Sequence, residues 1–339
     1  MGSSVTATRL RVSDIGEVNT ELGMESRSIG SLSVSLVGLG CNNFARKIDQ
    51  EQSTEVVNAA LESGITHFDT ADRYGYGDHP YSGEGNSEVF LSKALGSRRP
   101  TVTIGTKFGI ALDSDPVLNR GGSRRWVMQA CEDSLRRLRT DYIDLYQIHN
   151  PDPDTPLEET LGALTDLVAA GKVREIGCSG YSGEQLTGSV KVSSENDFAR
   201  YASAMHDYSL IVRAPEEELL PACRRLGIAF LPYFPLASGL LTGKYTKGRP
   251  APAGSRLEFW TPRPSFALND DNLERVQSLA DFANVRGRTI LELAMSWLAG
   301  RPEIASVIAG ATTAEQVREN ATAAGWKLSS EERTEIDEL

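Results

Sequence analysis

The chain has 339 residues and a formal net charge of −11 at pH 7. Because surfaces that bind phosphate backbones are basic, this charge argues against nucleic acid and anionic membranes as partners. Hydrophobic residues make up 40% of the chain and charged residues 24%, as in an ordinary globular protein. No apolar run approaches the roughly 18–20 residues that a membrane-spanning helix requires. The four cysteines show no zinc-type spacing, so we expect a reduced, cytoplasmic protein without a bound metal.

The chain divides into a short N-terminal segment and one long patterned region. Residues 1–26 show no sustained periodicity, and we interpret them as a flexible extension. Residues 27–339 are predicted to form a single domain, in which short β-type runs alternate with helical stretches from Ser31 onward. The predicted strands are Ser35–Gly40, Thr66–Asp69, Thr101–Lys107, Tyr142–His149, Val173–Ser179, Arg200–Asp207, Ile228–Tyr233 and Ile304–Ala309.

Helical stretches lie between these strands, and several have clear start or stop signals. They include Ser53–Ser63, Ser123–Arg139, Leu157–Ala170, Glu216–Leu226 and Ala314–Ala324. Eight strand–helix units in succession predict an α/β fold with a parallel sheet, and eight units favour closure into a (β/α)8 TIM barrel with outer helices. No third glycine follows Gly38 and Gly40, which argues against an open dinucleotide-binding sheet. Two long loops, Gly75–Asn86 and Gly248–Asn269, are candidates for functional segments.

Polar side chains gather where the second, third and fourth predicted strands end. Asp69 ends the second strand, Lys107 the third and His149 the fourth, while Tyr74 lies in the loop after Asp69. In a parallel barrel the catalytic residues lie at the carboxyl ends of the strands. Successive side chains point to opposite faces of a β-strand. Lys107 therefore shares a face of its strand with Thr103 and Gly105, and His149 shares a face of its strand with Leu145 and Gln147. We therefore expect these four side chains to converge.

The four side chains form a chemically sensible set for proton transfer to a carbonyl oxygen. A tyrosine, with an unperturbed pKa of roughly 10, transfers protons slowly near neutrality unless a nearby cation lowers that pKa. Lys107 can supply the cation, Asp69 can keep it charged, and His149 can bond to a carbonyl oxygen or relay a proton. Taken singly, Asp69 with Lys107 is equally well a buried ion pair, and His149 a core histidine. His67 beside Asp69 suggests a metal pair, but no second ligand cluster accompanies it.

The chain resembles the aldo-keto reductases from about Arg27 to Asn320. Each matching piece is weak alone, but their order and spacing over most of the chain are specific. The pieces are Phe68-Asp69-Thr70-Ala71 with Tyr74-Gly75, Thr106-Lys107, Asp141-Tyr142-Ile143-Asp144-Leu145-Tyr146-Gln147-Ile148-His149, Gly171-Lys172-Val173-Arg174-Glu175-Ile176-Gly177-Cys178-Ser179, Pro232-Tyr233-Phe234-Pro235-Leu236, Ser238-Gly239-Leu240-Leu241-Thr242-Gly243-Lys244-Tyr245, and Ile308-Ala309-Gly310-Ala311-Thr312-Thr313 with Glu315-Gln316-Val317 and Glu319-Asn320.

The resemblance implies a catalytic tetrad on Asp69, Tyr74, Lys107 and His149, and hydride delivery from C4 of NADPH to an aldehyde, ketone or sugar carbonyl. NADH is the alternative coenzyme. Tyr233 would stack on the nicotinamide. The coenzyme-binding residues implied are Cys41, Asn42, Asp69, Ser179, Gly180, Met205, Tyr233, Phe234, Pro235, Leu236, Ser238, Leu240, Lys244, Gly310, Thr312, Gln316, Glu319 and Asn320. The candidate substrate-binding residues are Tyr76, Phe108, His149, Asn150 and Tyr181, with Trp260 as a further pocket candidate.

The sequence departs from the family pattern at both ends of the implied coenzyme site. Ser179-Gly180 replaces the usual Ser-Asn pair, and Met205 stands where a glutamine is usual, so two ligands of the nicotinamide carboxamide are missing. Gly310 and Gln316 occupy positions where many relatives carry a cation against the 2′-phosphate. We expect a sluggish or unusually specific enzyme. The alternative is a nucleotide-binding regulatory or sensor barrel with slow or vestigial chemistry.

Overall fold

The computed structural model describes residues 23–259 and 264–339. Residues 1–22 of the predicted extension lie outside this part of the chain. The described chain opens with an antiparallel hairpin of two strands, β1 (Ser26–Ile29) and β2 (Leu32–Ser35). Eight parallel strands follow, namely β3 (Val37–Gly40), β4 (His67–Asp69), β5 (Thr103–Phe108), β6 (Ile143–Ile148), β7 (Val173–Ser179), β8 (Tyr201–Asp207), β9 (Ala229–Tyr233) and β10 (Val307–Gly310).

The eight parallel strands form a barrel. Strands β3 to β9 pair in chain order, and β10 returns to lie beside β3. The remaining gap, between β9 and β10, is bridged by two backbone hydrogen bonds. Phe230 N donates to Glu303 O at 2.7 Å, and Ala305 N donates to Phe230 O at 3.0 Å. The predicted single-domain (β/α)8 barrel is thus confirmed.

The helices cover the outside of the barrel. They are α1 (Gln50–Glu62), α2 (Asn86–Leu95), α3 (Arg124–Leu138), α4 (Leu157–Ala169), α5 (Gly183–Asn196), α6 (Leu219–Leu226), α7 (Arg256–Phe259), α8 (Asp270–Asn284), α9 (Ile290–Ala299), α10 (Ala314–Ala323) and α11 (Ser330–Asp337). The N-cap predicted for α3 is present, because the Ser123 hydroxyl accepts a hydrogen bond from Trp126 N at the start of this helix. None of the helices in the described residues has the length and hydrophobicity that crossing a bilayer requires.

Most predicted boundaries differ from the structure by one to three residues, and two of these differences have a local cause. The first predicted strand begins at Ser35, but in the structure Ser35 is the last residue of hairpin strand β2. Its hydroxyl donates to Val37 O, at the start of β3, and accepts from Thr66 N. The helix predicted from Glu216 begins at Leu219, because a separate 3-10 turn occupies Ala214–Glu216. A proline within that turn removes a backbone donor, which is compatible with a tight turn ahead of the helix.

The hairpin closes the N-terminal end of the barrel. Ile29, Leu32 and Val34 are buried against an apolar layer inside the barrel that consists of Leu145, Met205, Leu231, Ala305 and Ile308. Arg27 ties the hairpin to the end of α9 and to the β9–β10 gap. Its guanidinium donates to Ala299 O (2.6 Å), Arg301 O (2.9 Å) and Ile304 O (2.6 Å). The opposite, C-terminal end is therefore the one left for a ligand.

Candidate active site

The structure brings the four predicted catalytic side chains together at the C-terminal end of the barrel. The Lys107 ammonium group is 1% exposed and donates to Asp69 Oδ2 at 2.6 Å and to Thr70 O at 2.8 Å. Lys107 Nζ lies 5.1 Å from the centroid of the Tyr74 ring. The Tyr74 and His149 rings meet edge to face, with centroids 5.7 Å apart. The four groups thus surround one small volume.

Backbone geometry sets the position of Tyr74. Its N–H donates to Ala71 O at 3.1 Å, and its carbonyl accepts from Ser87 N at 3.2 Å, so the turn after β4 is tied to the start of α2. The next residue, Gly75, has a φ of 101°. A Cβ at Gly75 would lie 2.8 Å from Gly83 O and from Ser87 N, so a larger residue would displace the turn.

The charges at the site support one protonation state. Burial alone would lower the pKa of Lys107, but Asp69 and Tyr74 reverse this and the pKa is raised, so Lys107 is an ammonium ion. Burial raises the pKa of Tyr74, and Lys107 offsets only part of the rise. The expected lowering of the Tyr74 pKa is therefore wrong as a net effect, because desolvation outweighs the cation. Tyr74 is a protonated phenol near neutral pH.

His149 is a neutral imidazole. Burial, together with Lys107 and Arg73, holds the pKa of His149 well below its usual range. Its Nδ1 atom is buried and has no hydrogen-bond partner among the described residues. Buried polar atoms are normally hydrogen-bonded. The His149 ring is therefore not held in place by a hydrogen bond through Nδ1.

A cavity of about 1270 Å³ opens beside these groups and contacts Tyr74, Lys107 and His149. Most of the coenzyme-binding residues implied by the family resemblance line it. They are Asn42, Asp69, Ser179, Met205, Tyr233, Phe234, Pro235, Leu236, Ser238, Lys244, Gly310, Thr312, Gln316, Glu319 and Asn320. Of the predicted substrate-binding residues, His149 and Asn150 line the same cavity.

The other predicted binding residues do not line this cavity. Cys41 and Leu240 are fully buried, and Gly180 lies beside the lining residue Ser179. Tyr76 is 52% exposed on the loop after Tyr74. Phe108 stacks on Tyr146 at 4.7 Å in the core, and Tyr181 packs edge-on against Tyr201 at 5.7 Å. Trp260 lies outside the described residues.

The position of Phe108 follows from the alternation of β5. Lys107 faces the barrel interior, so its neighbour in sequence must face the surrounding helices. The same alternation that predicted the position of Lys107 therefore already excluded Phe108 from the substrate pocket.

Sequence reasoning missed two of the cations that line the cavity. Lys47 and Arg256 line it together with Lys244. Burial lowers the pKa of Lys47, and repulsion from Arg256, Arg46 and Lys244 lowers it further. Arg256 also donates to Asn43 Oδ1 at 3.1 Å, although the two residues are far apart in the chain. The adjacent Arg46-Lys47 pair after the first predicted strand was the one signal that could have revealed this group.

The residues around the cavity fit a dinucleotide. Cations that lie close together repel one another unless an anion compensates them. Because the chain as a whole has a net charge of −11, a group of cations at this cavity indicates that the cavity binds an anionic ligand. Ser238, at a φ of 59°, has a buried hydroxyl with no partner in the described chain, and Gly239 follows at a φ of 101°. Such left-handed turns present backbone groups to phosphates. The start of α10, capped by Thr313, borders the same cavity.

The chain is similar to known proteins along almost all of its length. The model of the Aldo/keto reductase family matches residues 36–339. The L-glyceraldehyde 3-phosphate reductase of Escherichia coli (strain K12) is 32% identical over 327 residues, which cover 93% of this chain and 92% of that protein. A probable voltage-gated potassium channel subunit beta from Oryza sativa subsp. japonica is 32% identical over 306 residues, which cover 88% and 90%.

A solved structure agrees with these sequence relatives. A glycerol dehydrogenase from Gluconobacter oxydans matches the fold with a TM-score of 0.78 and 28% sequence identity, covering 92% of this chain and 94% of that one. The family match, the relatives and the shared fold all span the strand ends described above. The chain therefore belongs to the aldo-keto reductase family of NAD(P)-dependent oxidoreductases.

Proposed function

We propose that this protein reduces the carbonyl group of a small aldehyde, ketone or sugar to an alcohol, with Tyr74 as the proton donor. The observation that carries the proposal is the meeting of Tyr74, Lys107 and His149 at a cavity lined by the implied coenzyme residues. A reduced nicotinamide coenzyme, when bound, supplies the hydride. The protein supplies the carbonyl site and the proton.

Each of the four side chains has a distinct task in this proposal. Neutral His149 donates a hydrogen bond to the carbonyl oxygen and so orients the substrate. Tyr74, kept protonated by burial, gives its proton to that oxygen as negative charge develops there. The Lys107 ammonium stabilises the tyrosinate that remains, because opposite charges attract strongly in a buried site. Asp69, bonded to Lys107 at 2.6 Å, keeps the ammonium charged and in place.

We further propose that the coenzyme is NADPH. The 2′-phosphate adds roughly two negative charges to the dinucleotide, which suits a cavity bordered by several cations. Lys47, Lys244 and Arg256 all line the cavity that also contacts Gln316 and Asn320 on α10. These cations compensate for the neutral Gly310 and Gln316, where many relatives carry a charge. Two of these cations, Lys47 and Arg256, lie outside the sequence pieces that carry the family resemblance.

The replacement Arg256→Gln tests the coenzyme proposal. We expect a roughly tenfold weaker affinity for NADPH, in line with the loss of a charge-assisted contact, and little change for NADH. Fluorescence titration with each coenzyme gives both dissociation constants. Arg249→Gln is the matched control, because Arg249 is exposed on the same segment and does not line the cavity. An equal loss for both coenzymes would contradict a role at the 2′-phosphate.

A regulatory or sensor barrel is the second candidate, and one feature favours it. Met205 lies beside Ser179 across β7 and β8, and Gly180 follows, so this wall of the cavity has few groups for a carboxamide. A relative of similar identity is named as a channel subunit. Titration with NADPH and NADH, followed by turnover on a panel of aldehydes, ketones and sugars, separates the two functions. Turnover supports the reductase, whereas tight binding with no turnover supports the sensor.

A further inference from the structure

Two carboxylates are buried beside the backbone turn that carries Tyr74, and only one of them bonds to an arginine. Glu88 on α2 is 0% exposed and Asp72 is 1% exposed. Glu88 Oε2 accepts from Arg137 Nε of α3 at 2.5 Å, and Glu88 Oε1 accepts from Thr106 Oγ1 at 2.6 Å. Neither carboxylate oxygen of Asp72 has a hydrogen-bond partner in the described chain. Glu88 is therefore the well-bonded member of the pair.

Glu88 is connected to both Lys107 and Tyr74 through residues that are adjacent in sequence. Thr106, which donates to Glu88, immediately precedes Lys107 on β5. Ser87, which immediately precedes Glu88, donates from its backbone N–H to Tyr74 O at 3.2 Å. The Glu88 carboxylate thus connects the strand that carries the ammonium group to the helix turn that anchors the phenol.

Arg137 is placed tightly against this helix turn. A Cβ on Gly85, which has a φ of 72° and precedes α2, would lie 2.3 Å from Arg137 Nε. A side chain at this position would therefore force Arg137 to shift from its present position against Glu88.

The charge balance indicates which acid is ionised. One cation cannot compensate two buried carboxylates, and an uncompensated buried charge costs several kcal/mol. Burial and the neighbouring Glu88 raise the pKa of Asp72 well above its usual range. Arg137 opposes the rise and Glu84 adds to it. The Tyr146 hydroxyl of β6 also faces this group, and it stays neutral because burial raises its pKa.

We propose that Glu88, held by Arg137, is a positioning residue that keeps the phenol of Tyr74 in register with the ammonium group of Lys107. Asp72 beside it is a neutral carboxylic acid and takes no part in this task. The inference rests on the proposed reductase function, because the register matters only for proton transfer. Without the Glu88 charge, the start of α2 and the Thr106 contact both loosen, and the phenol moves relative to its cation.

Three carboxyl-to-amide variants test the proposal by steady-state kinetics and thermal unfolding. Glu88→Gln should lower kcat by roughly tenfold or more, since small misplacements of reacting groups have large effects, and leave the coenzyme dissociation constant within about twofold. Asp144→Asn is the matched control. Asp144 is a 1% exposed carboxylate at the far end of the barrel, paired with Arg99 at 2.8 Å and with Arg174 at 2.9 Å. It should lose a similar amount of thermal stability but keep kcat.

The third variant, Asp72→Asn, replaces a neutral acid by a neutral amide and should keep kcat within about twofold of the parent. If Glu88→Gln does not fold, Thr106→Val serves in its place. It removes one contact of Glu88 without removing charge, and should lower kcat about threefold through the loss of one hydrogen bond. An equal kcat for Glu88→Gln and Asp144→Asn, or a larger loss for Asp72→Asn than for Glu88→Gln, would overturn the proposal.

A second readout does not require turnover. In protein labelled with ¹³C at tyrosine Cζ, the Tyr74 resonance can be assigned by its loss in Tyr74→Phe. We expect its titration to move to higher pH in Glu88→Gln, by about one pKa unit, and to stay unchanged in Asp144→Asn. If the parent protein reduces no carbonyl, the proposed function fails while this titration still tests the positioning. An unmoved resonance in Glu88→Gln would reject the positioning role itself.

Discussion

The two ends of the barrel each contain a buried ion pair, and they use it differently. At the C-terminal end, Lys107 bonds to Asp69 at 2.6 Å beside a cavity, and His149 keeps a buried nitrogen without a partner in the described chain. At the N-terminal end, Asp144 pairs with the mostly buried Arg99 at 2.8 Å and with Arg174 at 2.9 Å, and it also accepts from a backbone N–H. Buried charge alone therefore does not mark a site. Unsatisfied polar groups beside an open volume do.

The same contrast applies to stability. The N-terminal end is closed by the hairpin, whose apolar side chains fill the barrel and whose Arg27 uses its guanidinium on three carbonyls. The C-terminal end contains Tyr74, Lys107 and His149, whose polar groups are costly to bury and which we propose carry out the chemistry. Substitutions at the N-terminal end should then affect folding stability, and substitutions at the C-terminal end should affect turnover. Four variants test this separation.

The largest expected effect is that of Tyr74→Phe. The ring and its packing against His149 remain, but the proton donor is lost, so kcat should fall by about 10²–10⁴-fold, the usual contribution of a general acid. Coenzyme affinity and the unfolding midpoint should stay close to those of the parent. Steady-state kinetics, coenzyme titration and thermal unfolding measure the three quantities. A kcat within threefold of the parent would remove Tyr74 from the proposed chemistry.

Arg27→Ala should have the opposite effect. It removes three hydrogen bonds to backbone carbonyls and the ion pair with Glu25, so the free energy of unfolding should fall by about 2–3 kcal/mol, given that Arg27 is partly exposed. Urea unfolding measures the change, and kcat should be unaffected. A parallel loss of kcat would show that the two ends are coupled and that the separation is wrong.

His67 should make stability depend on pH. It is fully buried, and burial, with Lys107, lowers its pKa to about 3. In the unfolded chain the His67 imidazole gains a proton below its ordinary pKa near 6.5, whereas in the folded chain it stays neutral down to about pH 3. The contribution of His67 to the free energy of unfolding is therefore fully present above pH 6.5 and is lost as the pH falls toward 3. The loss has a limiting slope of about 1.4 kcal/mol per pH unit. In His67→Met, urea unfolding at pH 8 and pH 5 should show a smaller difference than in the parent, and an identical difference would contradict this assignment.

The smallest expected effect is a gain of function in Gly180→Asn. Gly180 has a φ of 72°, which asparagine tolerates better than most residues, and a Cβ there would meet nothing closer than Asn150 Oδ1 at 3.4 Å. An added amide should raise kcat or lower the coenzyme KM by about 2–10-fold, the range of one hydrogen bond. Gly180→Ala, which adds the Cβ without the amide, should show no gain. Unchanged constants in Gly180→Asn would show that the missing carboxamide ligand does not limit this enzyme.

Local patterns in the sequence were sufficient for the barrel and for the four groups at its C-terminal end. Strand alternation and the position of strand ends are short-range properties, and Asp69, Lys107 and His149 follow from them. The cation group was not predictable in this way, because Lys47 and Arg256 meet only after the barrel has closed. The direction of the Tyr74 pKa shift could not be predicted from the sequence either, because it depends on how completely the phenol is buried.

The most direct test of the central claim is the transfer of label from the coenzyme to a carbonyl carbon. NADPH deuterated at C4 on the transferable side is incubated with the protein and a panel of aldehydes, ketones and sugars, and the products are analysed by mass spectrometry and NMR. We predict that deuterium appears on the carbon that bears the new hydroxyl group, and that Tyr74→Phe binds the coenzyme but transfers little label. Tight coenzyme binding by the parent protein with no deuterium in any product would contradict the claim.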